Sequence, residues 1–382
     1  MLTRIKCDRI ILCDRIFDGY VYFDGNKITD VTTDTRPADV CYDYTGRYLS
    51  PGFIESHTHG CGGEGYLCGD KAQIARITDC HLAHGATTVY PTLVACTYEE
   101  MLTTLQAISD AISEGLCLAN VPGAHIEGPY LALSQCGGQP PKNITPPIEK
   151  EYKEIVHRFG NIVKRWTYAP ERDEGGEFCR YISSKGILPS IGHTDAIYPE
   201  VCQAIDNGAR LVTHLYSCMS TVTRDHGFRR LGVIESTFLR DELTAELICD
   251  GKHLPPELIK MIVKAKGFDG IIATTDSIDV AATSLKTGYY SDTHYIIEDG
   301  VAKLYDRTAF AGSIATCDVL IKTLVKECGF GIPESVRTLT KNVAKLFGLS
   351  KGEIRAGLDA DLIVFDEDFN VSDVFVLGNK VK

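Results

Sequence analysis

Along the middle of the chain, eight short apolar runs each end in a polar or glycine-rich turn. They are GFIESHTHG near 52–60, TTVYPT near 87–92, NVPGAHIEG near 120–128, VKRWTYAPE near 163–171, LPSIGHT near 188–194, LVTHLYS near 211–217, AELICDGKH near 245–253 and IIATTDS near 271–277. Between most of them lie amphipathic stretches such as KAQIARITDCHLAHG at 71–85, whose apolar positions recur every three to four residues and whose last glycine suits the position just past a helix. Eight strand-plus-helix repeats are what a closed (β/α)8 barrel requires. A doubly wound parallel sheet is the alternative, but it gives no reason for where the polar residues fall.

The two ends have another texture. DRIFDGYVYFDGNKITDV carries Asp-Gly at 18–19 and 24–25 between alternating apolar runs, a hairpin signal, and the tail IRAGLDADLIVFDEDFNVSDVFVLGNKVK resembles it. The pattern therefore predicts an α/β protein in which residues 1–50 and 352–382 form a small β-sandwich domain and residues 51–351 a catalytic (β/α)8 barrel.

The polar residues fall in one place relative to each run. His57, His59, Glu127, His193, His214, His253 and Asp276 all stand at or just past the C-terminal end of an expected strand. That end of a barrel carries its active site, so dispersed residues would converge on one mouth. His57 and His59, two apart on a strand, point to one face and can share a metal ion, to which Glu127, His193 and His214 add a carboxylate and two more imidazoles. Such donors suit a divalent metal, zinc first, with Fe²⁺ or Mn²⁺ as alternatives. Asp276 is placed to move a proton, which together describes a metal-dependent hydrolase of a C–N bond. Taken singly, a His-x-His pair, a glutamate or a helix-capping aspartate is ordinary; joint placement at strand ends sets this group apart from His81, His84, His157, His226 and His294, which read as structural.

Composition narrows the function further. The chain has 382 residues, with 39 basic against 51 acidic side chains and a net charge of −12, which repels nucleic acid and anionic lipid surfaces. No run approaches the length needed to span a bilayer, and the start lacks a cleavable leader pattern, so a cytoplasmic location is expected. Fifteen cysteines at irregular spacings, with no C-x-x-C, read as reduced and mostly buried.

PGFIESHTHG, AHIEGPY, SIGHTDA, THLYS, DGKH, TTDS and FAGSIAT, in this order, resemble the amidohydrolase superfamily and within it the N-acetylglucosamine-6-phosphate deacetylases, over nearly the whole chain. The resemblance implies removal of acetate from the 2-acetamido group of a phosphorylated amino sugar. It implies Glu127, His193 and His214 as main metal ligands, and His57 and His59 as a pair that adds a second metal with Glu127 bridging, hence one or two ions per chain. It implies Asp276 as general acid/base, His253 as a substrate-binding histidine, and a homodimer in which a partner's arginine completes the phosphate site. The carboxylate on the third strand separates this set from cyclic amidases with a modified lysine on the fourth, since Lys164 stands at the start of its run.

Two positions depart from the family pattern. Gln139 stands where a histidine is usual, twelve residues after the metal-binding glutamate, and a glutamine cannot be cationic. After the sixth strand, Ser217-Cys218 replaces a usual Asn-Ala, followed by Arg224, Arg229 and Arg230; the backbone N–H groups of Ser217 and Cys218 and an arginine fork, Arg224 first, are the candidate phosphate contacts. Alternatives are a deacetylase of another N-acyl amino sugar, unphosphorylated or galacto-configured, and a barrel that has lost catalysis and serves as a scaffold.

Overall fold

The computed structural model describes residues 1–290 and 293–382. All eight expected barrel strands form: Phe53–Thr58, Ala86–Leu93, Ala124–Glu127, Val163–Tyr168, Leu188–Ile191, Leu211–Val212, Thr244–Ile248 and Ile271–Thr274, here the first to eighth barrel strands. They lie side by side in chain order and every pairing is parallel. The eighth returns to the first just past the strand ends, where Thr58 bridges Ser277 and the Asp276 N–H donates to the His57 carbonyl at 3.0 Å. A helix follows each strand: Lys71–Ala83, Tyr98–Ser113, Glu149–Phe159, Glu177–Ser184, Tyr198–Asp206, Val233–Leu239, Pro256–Lys266 and Cys317–Lys322.

Local chemistry explains the helix ends. Asp70 accepts from the Ala72 N–H at 2.9 Å to start Lys71–Ala83, and Gly85 follows it in the left-handed region at φ 90°. Thr97 and Glu100 exchange hydrogen bonds in a capping box at the start of Tyr98–Ser113. The apolar faces of the helices pack onto the outside of the strands. Around the fourth strand, Trp166 stacks on Tyr130 with centroids 5.7 Å apart, and Phe178 from the following helix meets Trp166 edge-on at 5.1 Å. Aromatic pairs of this kind add to the burial of their large apolar faces.

Both ends of the chain enter one eight-stranded sheet. Leu2–Ile11, Ile16–Asp24, Lys27–Thr32, Val40–Asp43 and Tyr48–Pro51 come from the start, and Leu362–Phe365, Val371–Val376 and Asn379–Lys380 from the tail. Tyr48–Pro51 pairs with Leu362–Phe365 and joins the two contributions. Ile5, Val21, Phe23, Leu49, Leu362 and Phe375 meet in one cluster, so the sheet folds over a core of its own. Gly52 alone separates this sheet from the first barrel strand.

Two elements differ from the sequence pattern. Asp24-Gly25 does lead into a turn, but Asp18-Gly19 lies inside the strand Ile16–Asp24. A Cβ on Gly19 would sit 2.5 Å from the Phe17 ring and from the Thr32 carbonyl, so glycine here serves close approach across the strand pair. Beyond the eighth barrel strand, Thr287–Tyr290, Thr293–Glu298, Val301–Leu304 and Phe310–Gly312 form a four-stranded antiparallel sheet that the pattern reading did not separate, with His294 in a strand. Its Asp299-Gly300 turn carries the same signal that marked the terminal hairpins.

Candidate active site

The barrel aims its polar residues by turning the chain sharply where strands end. His193, His214 and Asp276, each two residues beyond a strand, have left-handed backbones at φ 47°, 29° and 48°. Non-glycine residues hold such conformations only where the surroundings over-determine them, and sites of function are where they cluster.

Two donor sets result, joined by one carboxylate. His59 Nε2 lies 2.9 Å and His57 Nε2 3.3 Å from Glu127 Oε2, and both imidazole nitrogens lie 3.3 Å from Asp276 Oδ1. The other oxygen, Glu127 Oε1, lies 3.2 Å from His193 Nε2 and 3.0 Å from His214 Nε2. Within each set the donor atoms stand no more than 4.8 Å apart. All five positions named from the sequence as metal donors, with Asp276, are therefore together.

Hydrogen bonding shows that the arrangement fits a cation. His193 Nδ1 meets the Gln135 carbonyl at 2.8 Å and His57 Nδ1 meets Glu246 Oε1 at 2.9 Å; oxygens of this kind only accept, so both Nδ1 atoms carry the proton. In the neutral ring each Nε2 is then a bare lone pair, facing a carboxylate oxygen and a neighbouring imidazole nitrogen, which lies at 3.1 Å for His193 and His214 and 3.3 Å for His57 and His59. Lone pairs converge in this way around positive charge.

The electrostatics agree. Burial alone would raise the Glu127 carboxyl, yet the surrounding His57, His193 and His214 hold it well below the usual carboxylate range. Burial would likewise depress His57, but Asp276, Glu127 and Glu246 push it up to about 10. The pocket stabilises positive charge, as protons or as a divalent ion.

A model of the amidohydrolase family matches residues 48–381, nearly all of the chain. The chain belongs to the amidohydrolase family. It is 31% identical to N-acetylglucosamine-6-phosphate deacetylase of Caenorhabditis elegans, covering 95% of this chain and 90% of the relative, and 29% identical to that of Bacillus subtilis, covering 95% and 93%. A Mycobacterium smegmatis deacetylase variant, solved with N-acetyl-D-glucosamine-6-phosphate, superposes with a TM-score of 0.91 at 26% identity over 100% of this chain and 99% of that one. The Thermotoga maritima enzyme gives 0.87 at 30% identity over 99% of each.

The amidohydrolase mouth opens into a cavity of about 290 Å³ lined by every donor except the fully buried His57, and by Gln139, Ser217, Cys218, His253 and Phe310. His253 donates its Nδ1–H to Asp250 Oδ2 at 2.8 Å and meets the Phe310 ring edge-on at 4.9 Å. Gln139 is buried and doubly anchored: its amide donates to Glu127 Oε2 at 2.7 Å while its oxygen accepts from the Ala95 N–H at 2.7 Å. One expectation for the phosphate contacts changes. The Ser217 N–H is already given to the His214 carbonyl at 2.9 Å, so it is not free for an anion. Arg224 lies exposed on a hairpin of Thr223–Asp225 with Phe228–Arg230, away from the residues that line the cavity of its own chain.

Four buried charged or imidazole side chains inside the barrel strands of this amidohydrolase escaped the sequence reading. Arg165 and Glu246 pair inside the barrel, and His125 stands edge-on to His57 at 4.6 Å, between Thr92 and Thr167. Glu55 accepts from Thr274 Oγ1 at 2.6 Å and from the His57 N–H at 3.0 Å. A single charged residue in an otherwise apolar strand, as Glu246 in TAELI, was the signal available. All fifteen cysteines are free, in keeping with reduced thiols.

Proposed function

We propose that this chain removes acetate from N-acetylglucosamine 6-phosphate, leaving glucosamine 6-phosphate. The observation that carries the reading is the pair of donor sets joined by Glu127 with Asp276 beside them, in a chain whose relatives along almost its full length are deacetylases of that sugar phosphate. Glu127, His193 and His214 would hold one divalent ion and His57, His59 and Asp276, with Glu127, a second. Zinc is the first candidate for this donor chemistry, with Fe²⁺ and Mn²⁺ behind it. A bound divalent ion supplies Lewis acidity, polarising the amide carbonyl and acidifying water.

The chain's own residues do the rest. Burial raises the Asp276 carboxyl, but His57 and His59 more than offset this and hold it below its ordinary value, so it stands ready as a base. It takes the proton from the attacking water as the C–O bond forms, then passes it to the amide nitrogen as the C–N bond breaks. His253, oriented by Asp250, and the Gln139 amide contact the substrate from the cavity wall, with Ser217 and Cys218 on the side of the sixth strand. Arg224 serves the 6-phosphate of a neighbouring subunit in a homodimer, which explains its distance from the cavity of its own chain. No helix among the described residues is long and apolar enough to cross a membrane, which fits a cytoplasmic enzyme of small-molecule metabolism.

The test is acetate release from N-acetylglucosamine 6-phosphate by protein stripped of metal and reloaded with zinc. Ion-dependent release supports the reading. Equal kcat/KM on phosphorylated and free N-acetylglucosamine would favour the unphosphorylated amino sugar instead.

A further inference from the structure

Just below the donor atoms the barrel interior holds a second charged group. Arg165, on the fourth strand, and Glu246, on the seventh, are both fully buried. Arg165 Nη2 donates to Glu246 Oε1 at 2.9 Å while Nη1 pairs with Oε2, so the guanidinium grips the carboxylate with both prongs. The same Nη2 donates to Thr213 Oγ1 at 2.9 Å. A buried ion pair by itself is weak evidence of a stabilising role, because desolvation offsets the attraction.

What distinguishes this pair is where the remaining hydrogen bonds of Glu246 go. Its Oε1 accepts the Nδ1–H of His57 at 2.9 Å and the backbone N–H of His214 at 3.2 Å. One oxygen thus touches a residue from each of the two donor sets. An imidazole whose Nδ1–H is given to a carboxylate has its tautomer and ring orientation fixed, and its other nitrogen becomes the more basic ligand. His57 Nε2 is accordingly aimed at the space bounded by Glu127 Oε2 and Asp276 Oδ1, each 3.3 Å away.

We propose that Glu246, clamped by Arg165, is a positioning residue that holds His57 in its metal-accepting tautomer and sets how tightly the His57, His59 and Asp276 subsite retains its ion. This rests on the two-ion reading of the site. The arginine holds the carboxylate at one angle and balances its charge, so that the oxygen facing His57 stays an acceptor.

The test counts ions per chain by mass spectrometry after equilibration against graded chelator. His57→Asn, which deletes a ligand, marks which ion belongs to this subsite. Glu246→Gln is expected to release that ion at roughly 10- to 100-fold lower chelator concentration, with the other ion retained as in the wild type. Because Glu246→Gln leaves Arg165 with a buried uncompensated charge, the double variant Arg165→Met with Glu246→Leu, which removes both charges, is measured beside it and is expected to lose the same ion. A purely structural pair would lower Tm and leave the two ions equally held. The inference is overturned if either folded variant retains both ions as firmly as the wild type. A wild-type chain that takes up a single ion overturns the two-ion reading and this inference together.

Discussion

His57 and Asp276 are the chain's first and last donors, yet His57 Nε2 and Asp276 Oδ1 stand 3.3 Å apart. The barrel's closure brings them there: the Asp276 N–H donates to the His57 carbonyl at 3.0 Å, so the hydrogen bond that seals the eighth strand against the first also places the carboxylate beside the imidazole. Any change that loosens the seam misplaces both.

Asp276→Asn keeps the size and loses the carboxylate that the proposed reaction uses as its base. Acetate release from the sugar phosphate should fall about 10³-fold in kcat, at the middle of the range for a lost general acid/base. Stopped assays with ion content measured on the same sample check it; a loss under tenfold would remove Asp276 from the proton path.

Removing the ions should cost stability as well as activity, because four imidazole nitrogens and two carboxylates would face one another without a cation between them. Chelated protein should melt lower than reloaded protein, with Tm rising as free zinc rises, since the ion binds only the folded state. Scanning calorimetry at several zinc concentrations reads this directly.

Gln139→Ala removes the donor to Glu127 and strands the Ala95 N–H. A buried backbone donor without a partner costs about 1–3 kcal/mol, so a lower denaturation midpoint is expected together with reduced kcat. Unchanged stability would show that the cavity rehydrates freely at this wall.

Arg224→Ala should lower kcat/KM on the phosphorylated sugar about tenfold or more and leave the free sugar nearly unaffected, because the proposal gives this arginine fork the 6-phosphate alone. Light scattering on the same preparations should report a dimer; a monomer with wild-type activity would remove the partner's arginine from the phosphate site.

His81 supplies a pH prediction away from the donors. It is buried on the helix Lys71–Ala83, with Nε2 2.8 Å from Thr58 Oγ1, and burial, aided by His84, depresses it to about 3. Below pH 6.5 the unfolded chain binds a proton there that the folded chain refuses, so stability falls as pH drops from 6.5 towards 3. At pH 5 the loss from this one group is about 2 kcal/mol. Urea unfolding at pH 7 and pH 5 should show a smaller acid loss in His81→Gln than in the wild type.

Much of the site was legible in the sequence, because a barrel repeats one spatial rule. Once eight strand-ending turns are recognised, a histidine or carboxylate at each of them is known to face the same mouth, whatever its distance along the chain. His57 to Asp276 were found in that way. Arg165, Glu246, His125 and Glu55 were not, because they lie within strands rather than beyond them, and strand position alone does not say which charged side chain turns inward to find a partner across the barrel. The Ser217 N–H, named as an anion contact, was misjudged for a different reason: whether a loop N–H is free for an anion depends on the turn it closes, here with His214.

By itself the sequence determined the barrel, the sheet built from both ends and the identities of the donors, since periodicity and the placement of polar residues at strand ends are properties of the chain in order. Only the tertiary structure decided how those donors divide. That Glu127 turns one oxygen to His59 and the other to His214, that Gln139 donates to Glu127, and that Glu246 reaches His57 from the seventh strand all depend on distances of 3.3 Å or less between residues far apart along the chain. Barrel closure and side-chain packing set such distances, and no spacing along the chain encodes them.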